Sequence, residues 1–227
     1  MSSTLDEKME ELMKKVLHKI KRRLRIISFT DAIYDFCYDV RLGVETRKTD
    51  RLLDNQQLHF NYMPTSYLII NRLFKKYKFQ PEDHLVDFGC GKGRVVLLAA
   101  NHSCPIVTGV EINPNMIRIA EKNVEILLSK KNKNTTILLK SEDASKMKIS
   151  SDMNKFFFFN PFHLKIFIYT INQISKSVQE HPRKILLFFL WPQESTINFM
   201  ETLEDYKTVE SYDDGKYKYF VYEYKFH

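Results

Sequence analysis

A chain of 227 residues that is 44% hydrophobic is long enough for one substantial α/β core plus an extra element. Cys37, Cys90 and Cys104 are few, odd in number and scattered, which excludes a disulfide scaffold and points to reduced thiols in a cytoplasmic setting. The net charge of +7 invites a nucleic-acid partner, so its distribution along the chain has to be read before its sign is interpreted.

The N-terminal segment carries most of that charge. Thr4 and Glu7 stand at capping-box spacing, and Leu5, Met9, Leu12, Val16, Ile20 and Leu24 form an apolar stripe, so a helix is expected. Lys14, Lys15, Lys19, Lys21, Arg22, Arg23 and Arg25 equal the whole excess of the chain. Acidic residues crowd the first turns and basic ones the last, as the helix dipole favours. Two readings stay open: a solvated face on a helix packed against the core, or contact of the basic stretch 14–25 with nucleic acid or another acidic surface. From Ile27 to Asn61 the chain mixes aromatics with charges, and residues 1–56 are read as a helical extension. Pro64 and Thr65 then mark a helix start, with Tyr67, Leu68, Ile69, Leu73 and Tyr77 available for its buried face.

The segment His84-Leu-Val-Asp-Phe-Gly-Cys-Gly-Lys-Gly-Arg-Val-Val-Leu-Leu-Ala-Ala100 sets three alternate glycines between a short apolar strand and an apolar helix. Gly89, Gly91 and Gly93 can take positive φ and let a ligand touch the backbone, while the helix start offers N–H groups to the ligand's polar end. A dinucleotide fingerprint needs a further glycine three residues after Gly91, and that position is Arg94. A nucleotide-like ligand is expected, and the dinucleotide reading is weakened.

Further strands follow in alternation with helices. Pro105–Ile112 is an apolar run that closes on Glu111, whose carboxylate can accept two hydroxyl hydrogen bonds from a ribose diol. Asn113-Pro114-Asn115 starts a helix. Thr135–Lys140 is a third strand, ending near Asp143, with Glu142 adjacent and able to serve in its place. Lys155–Phe159 is aromatic enough to be buried on both faces and ends at Asn160-Pro161-Phe162. Ligands in open α/β sheets sit outside the carboxyl ends of the strands, where the glycine loop, Glu111, Asp143 and Asn160 all fall. Beyond them come a helix over 163–180, with His163 as a base or a cap, a fifth strand over 184–191 and a helix over 196–203. Two alternating segments, 206–212 and 216–225, flank Asp213-Asp214-Gly215, the signal of a tight antiparallel hairpin. The apolar run Ile185–Trp191 stops at Pro192, well short of the roughly 20 residues of a membrane span. Seven His and three Cys show no zinc-type pairing, and no metal is expected.

The acidic-x-Gly-x-Gly-x-Gly pattern of Asp87, Gly89, Gly91 and Gly93 resembles the first motif of the class I S-adenosylmethionine-dependent methyltransferases, and the resemblance runs over about residues 60–227. It implies a doubly wound α/β fold, a mostly parallel seven-stranded sheet closed by a C-terminal antiparallel hairpin, with 57–227 as the catalytic domain. S-adenosylmethionine is the cofactor it implies, held by Asp87, Gly89, Cys90, Gly91, Gly93 and Asn160, with Glu111 on the ribose, Ile112 on the adenine face and Asp143 with Ala144 at the adenine amino group. Asn160-Pro161-Phe162 resembles the fourth motif of amino-group methyltransferases, in which an Asn oxygen and a proline carbonyl accept hydrogen bonds from the target amine while the aromatic ring stacks; this chain has one proline fewer. The leader resembles that of a bacterial group carrying Tyr-x-Pro-Thr, which would set Tyr62 and Thr65 beside the methionine end. The activity implied is methyl transfer to an amine nitrogen of a protein side chain or nucleobase. The alternatives are a small-molecule or oxygen acceptor, or a non-catalytic cofactor-binding module; the acceptor and the oligomeric state are left open.

Overall fold

Seven strands join in one sheet in the computed structural model, which describes residues 29–47, 63–130, 134–159 and 163–226. In chain order the described elements are α1 (29–42), α2 (Tyr67–Lys76), β1 (His84–Phe88), α3 (Arg94–Asn101), β2 (Ile106–Glu111), α4 (Pro114–Lys130) and β3 (Thr136–Ser141). A 3₁₀ turn (Ala144–Lys146), β4 (Lys155–Phe159), α5 (Leu164–Glu180), β5 (Leu186–Leu190), α6 (Glu194–Glu201), β6 (Tyr206–Asp213) and β7 (Lys218–Tyr224) follow. The basic stretch 14–25, Tyr62 and the Asn160-Pro161-Phe162 segment lie outside the described residues. No described helix is long and apolar enough to cross a membrane.

The sheet order is β3-β2-β1-β4-β5-β7-β6. The first five strands run parallel, β7 pairs antiparallel with β5, and β6 pairs antiparallel with β7. Chain progress runs outward through β2 and β3 on one side of β1 and through β4 and β5 on the other. That reversal opens a crevice at the carboxyl ends of β1 and β4, the place where such sheets take ligands.

Strand composition explains the layering. In β4, Phe156, Phe157 and Phe158 are all buried, so both faces of the sheet must be covered. Phe157, Leu85, Val107, Phe188 and Val221 pack with α2, α3 and α4 in one apolar layer. Phe156, Phe158, Val86, Phe88 and Phe189 pack with α5 and α6 in the other. Phe158 meets Phe88, Phe167 and Phe189 with ring centroids 5.0 to 5.6 Å apart. Phe158→Ala is expected to cost about 3–5 kcal/mol in urea unfolding, the range for truncating a fully buried aromatic.

Two local expectations are corrected. The second helix begins at Tyr67, because the Ser66 hydroxyl accepts from Leu68 N–H and caps it; Pro64 and Thr65 precede the helix. Its buried face is Tyr67, Ile69, Ile70, Asn71, Leu73 and Phe74, whereas Leu68 is 37% exposed. The reason is the 3.6-residue period: positions 67, 70, 71 and 74 share a face that 68 does not. The hairpin is also looser than a two-residue turn. Asp213 pairs with Lys218, leaving the loop 214–217, in which the Asp214 carboxylate accepts from the N–H groups of Lys216 and Tyr217 at 2.9 and 2.7 Å.

The polar clusters at the amino ends of the strands have a structural reading. Buried His84 is held between Asp152 and the Thr108 hydroxyl, each at 2.8 Å, and Lys155 pairs with Asp83. These groups fasten the end of the sheet opposite the crevice.

Candidate functional site

The glycine loop owes its path to backbone torsions that side chains resist. Gly89, Gly91 and Gly93 have φ of 77°, 51° and 85°. The N–H groups of Gly89 and Cys90 donate to the Val110 carbonyl, which ties the loop to the end of β2. Beneath it, a Cβ on Gly109 would stand 2.9 Å from Cys90 Sγ, so the missing side chain is what lets Cys90 seat. Burial pushes the Cys90 thiol well above its usual range, with the nearby Asp87 and Glu111 charges adding to it, which makes this sulfur a packing atom and a poor nucleophile.

The same tie brings Glu111 to the loop. Its Oε2 accepts from Gly91 N–H at 3.1 Å and its Oε1 from Asn113 N–H at 2.9 Å. A carboxylate offers about four acceptor directions, so each oxygen retains one for a hydroxyl donor. Asp87 differs. It is 3% exposed, its Oδ2 is buried without a hydrogen-bond partner, and burial, with the Glu111 charge second, holds its carboxyl well above the usual range. Such a group is stabilised by a cation brought to it.

Arg94, the first residue of α3, is 2% exposed and reaches out of the helix toward the N-terminal segment. Its Nη1 donates to Asp35 Oδ2 and to the Thr65 carbonyl, both at 2.6 Å, and its Nε to the Thr46 hydroxyl at 2.8 Å. The guanidinium carbon lies 4.4 Å from the centroid of the Tyr67 ring. Nη2 is buried without a hydrogen-bond partner. Asp39 completes the arrangement by accepting from Thr46 N–H, the Thr46 hydroxyl and the Tyr67 hydroxyl at 3.0, 2.7 and 2.9 Å. One side chain of the glycine-loop helix thus fixes α1, the tail behind it and the Thr65 segment. Sequence reading used Arg94 only to weaken a dinucleotide fingerprint and missed this role; the available signal was an arginine directly after the third glycine, preceded by an acidic segment.

At the end of β3 the Asp143 side chain accepts from Ser145 N–H and its hydroxyl at 2.9 and 2.8 Å, capping the 3₁₀ turn that includes buried Ala144. Glu142 Oε1 is buried without a hydrogen-bond partner, 3.8 Å from Lys140 Nζ, so the choice between the two acids stays open. Ile112 is 40% exposed and Thr65 is buried. His163 occupies the N-cap position of α5 without a side-chain capping bond. A cavity of about 380 Å³ beside the tail of α1 is lined by Asp39, Val40, Gly43, Val44, Glu45 and Arg47, none of them a residue of the glycine loop or of a strand end. Among the described residues no group of three or more His, Cys, Asp or Glu is placed to hold a metal ion.

This geometry can be compared with known proteins. A family model described as Histone methylation protein DOT1 matches residues 56–135, the stretch that holds the glycine loop and Glu111. An RNA methyltransferase from Salinibacter ruber, solved with S-adenosyl-L-homocysteine, superposes with a TM-score of 0.50 at 17% identity, over 71% of this chain and 94% of that one. The chain has the seven-stranded α/β fold of that methyltransferase. A putative methyltransferase from Streptococcus mutans, solved in complex with S-adenosylhomocysteine, shares the fold, with a TM-score of 0.54 at 11% identity over 72% of this chain and 100% of that one. A protein-lysine N-methyltransferase of Saccharolobus islandicus is 37% identical over 68 residues, which is 30% of this chain. The match spans 42% of the length of that curated relative.

Proposed function

We propose that the crevice binds S-adenosylmethionine and that the chain transfers its methyl group to the amine nitrogen of a protein lysine. The observation that carries the cofactor reading is a pair of buried, unsatisfied groups of opposite charge flanking the glycine loop, Asp87 Oδ2 and Arg94 Nη2. A zwitterionic amino-acid end fits them, its ammonium toward Asp87 and its carboxylate toward Arg94, while Glu111 takes the ribose hydroxyls. Gly89, Cys90, Gly91 and Gly93 supply the cradle, Ile112 and Asp143 with Ala144 the adenine side, and Tyr62 and Thr65 the methionine side. The DOT1 match and the lysine-methylating relative support an amine on a protein over other acceptors.

The cofactor supplies an activated methyl together with its own leaving group, so the protein's task is orientation, from which about 7–11 kcal/mol is available in favourable cases. The Asn160 side-chain oxygen and the Pro161 carbonyl accept hydrogen bonds from a neutral amine and point its lone pair, and Phe162 stacks on the acceptor. The division into an extension over 1–56 and a catalytic domain over 57–227 is read as functional rather than as two separate folds, which is supported by the anchoring of α1 on Arg94 and Tyr67. A cytoplasmic location suits the unpaired thiols.

Labelled-methyl transfer into fractionated cell extract tests the acceptor. Label is expected in protein, released as Nε-methyllysine on acid hydrolysis; label confined to RNA, DNA or small molecules would overturn the lysine reading.

A pH effect follows from Asp87. Because its folded pKa is raised, the unliganded protein loses stability as pH rises above the ordinary carboxylate range. A bound ammonium restores the carboxylate, so S-adenosylhomocysteine is expected to bind more tightly as pH rises through the Asp87 titration, releasing a proton. Calorimetry in two buffers of different ionisation enthalpy measures that proton, and Asp87→Asn should abolish it.

A further inference from the structure

Trp191 is the one tryptophan of the chain, and its backbone is strained. It follows directly on β5 with φ of 48° and donates its N–H to the Lys218 carbonyl at 2.8 Å. Among the described residues Ser103, with φ of 62°, is the other non-glycine residue at positive φ. Ser103 has a local reason: it stands two residues past the end of α3, where the left-handed conformation closes helices. Trp191 has none. A bulky residue at positive φ is a true outlier, and the following Pro192 restricts its backbone further.

Packing does not explain why a large ring is kept there. Phe188, Phe189 and Leu190, immediately before it, are each 1% exposed, whereas Trp191 is 44% exposed. Glycine would take this φ without strain, so the ring serves something that comes from solution. Its position says what. β4 and β5 pair as far as Phe159 and Leu190, so Trp191 stands just past the carboxyl end of β5, beside the carboxyl end of β4, the side on which such sheets take ligands. On the other flank of β5, the Tyr217 hydroxyl donates to Asp31 and lies 3.3 Å from the Ser66 hydroxyl, from which it can accept.

We infer that Trp191 is an acceptor-binding residue, its indole face lying along the aliphatic stem and amine of the substrate lysine; the inference rests on the proposed lysine activity. An indole attracts the positive charge that builds on nitrogen as it is methylated. Stacking of a nucleobase is less well served. The hairpin's Lys216 pairs with Asp31 at 2.5 Å, and Lys218 Nζ lies 5.7 Å from the Phe220 ring centroid, so these cations are engaged within the protein rather than turned to a phosphate backbone.

The single tryptophan makes the test direct. With S-adenosylhomocysteine bound, a lysine-containing acceptor peptide should change the intrinsic fluorescence, and the same peptide with norleucine should not. Trp191→Gly should raise KM for the peptide about tenfold, leave S-adenosylhomocysteine affinity unchanged, and keep or raise Tm because glycine relieves the strain; Trp191→Phe should recover part of the KM. A lower Tm with unchanged KM would make the ring structural and overturn the inference. So would a peptide that is methylated without changing the fluorescence, or a response to single-stranded RNA in place of the peptide. Loss of S-adenosylhomocysteine binding by the unaltered protein would instead remove the functional reading on which the inference stands.

Discussion

Asn160→Ala is expected to lower methyl transfer about a hundredfold while S-adenosylhomocysteine affinity changes by no more than about twofold. The asymmetry follows from the role proposed for the residue. β4 carries buried phenylalanines as far as Phe158, which fixes the strand, and its carboxyl end opens beside the glycine loop at the reversal of the sheet. In the role proposed above, the Asn160 side-chain oxygen holds the acceptor amine. Losing it lets the nucleophile wander from the line of attack, and misplacement by about 1 Å can cost about a hundredfold. Single-turnover rates and calorimetry on the same variant separate the two effects. Equal losses of rate and of cofactor affinity would place Asn160 on the cofactor and leave the amine without its acceptor group.

Arg94→Met is expected to cost about 3–5 kcal/mol in urea unfolding, because it strips the partner from a largely buried carboxylate. The Arg94 side chain is 3% exposed and that of Asp35 15%, so solvent screening gives little relief. Burial already outweighs the arginine at Asp35 and holds its carboxyl above the usual range. The charge pair is therefore costly to keep and costlier to break. Adding Asp35→Asn to Arg94→Met should recover part of the loss, and a double-mutant cycle measures the coupling. Stability of Arg94→Met within about 0.5 kcal/mol of the parent would mean that the arginine does not fasten α1 to the glycine loop.

What was legible in the sequence was whatever depends on short spacing. Three glycines at every second position fixed the loop, apolar runs of strand length fixed the sheet, and the Glu111 side chain does meet the loop, through Gly91 N–H. Long-range partners were not legible. Arg94 finds Asp35, Thr46 and Thr65 at separations of 59, 48 and 29 residues, and no periodicity marks such a set. Leu68 was misplaced because a run of apolar residues at the start of a helix hides which of them shares the face of Tyr67. The hairpin loop lengthened because the Asp213 and Asp214 carboxylates bind the backbone N–H groups that follow them, which keeps the loop open where Asp-Gly suggests a tighter turn. The strained φ of Trp191 is invisible in sequence, since Trp-Pro alone predicts an extended residue.

The ligand that occupies the crevice decides the function. Titration calorimetry of the full chain with S-adenosylhomocysteine and, separately, with NAD tests it most directly. The prediction is saturable binding of S-adenosylhomocysteine, weakened about 10- to 100-fold by Glu111→Ala as charge-assisted bonds to the ribose are lost, and no binding of NAD. Binding of NAD without S-adenosylhomocysteine, or an affinity for S-adenosylhomocysteine indifferent to Glu111→Ala, would contradict it.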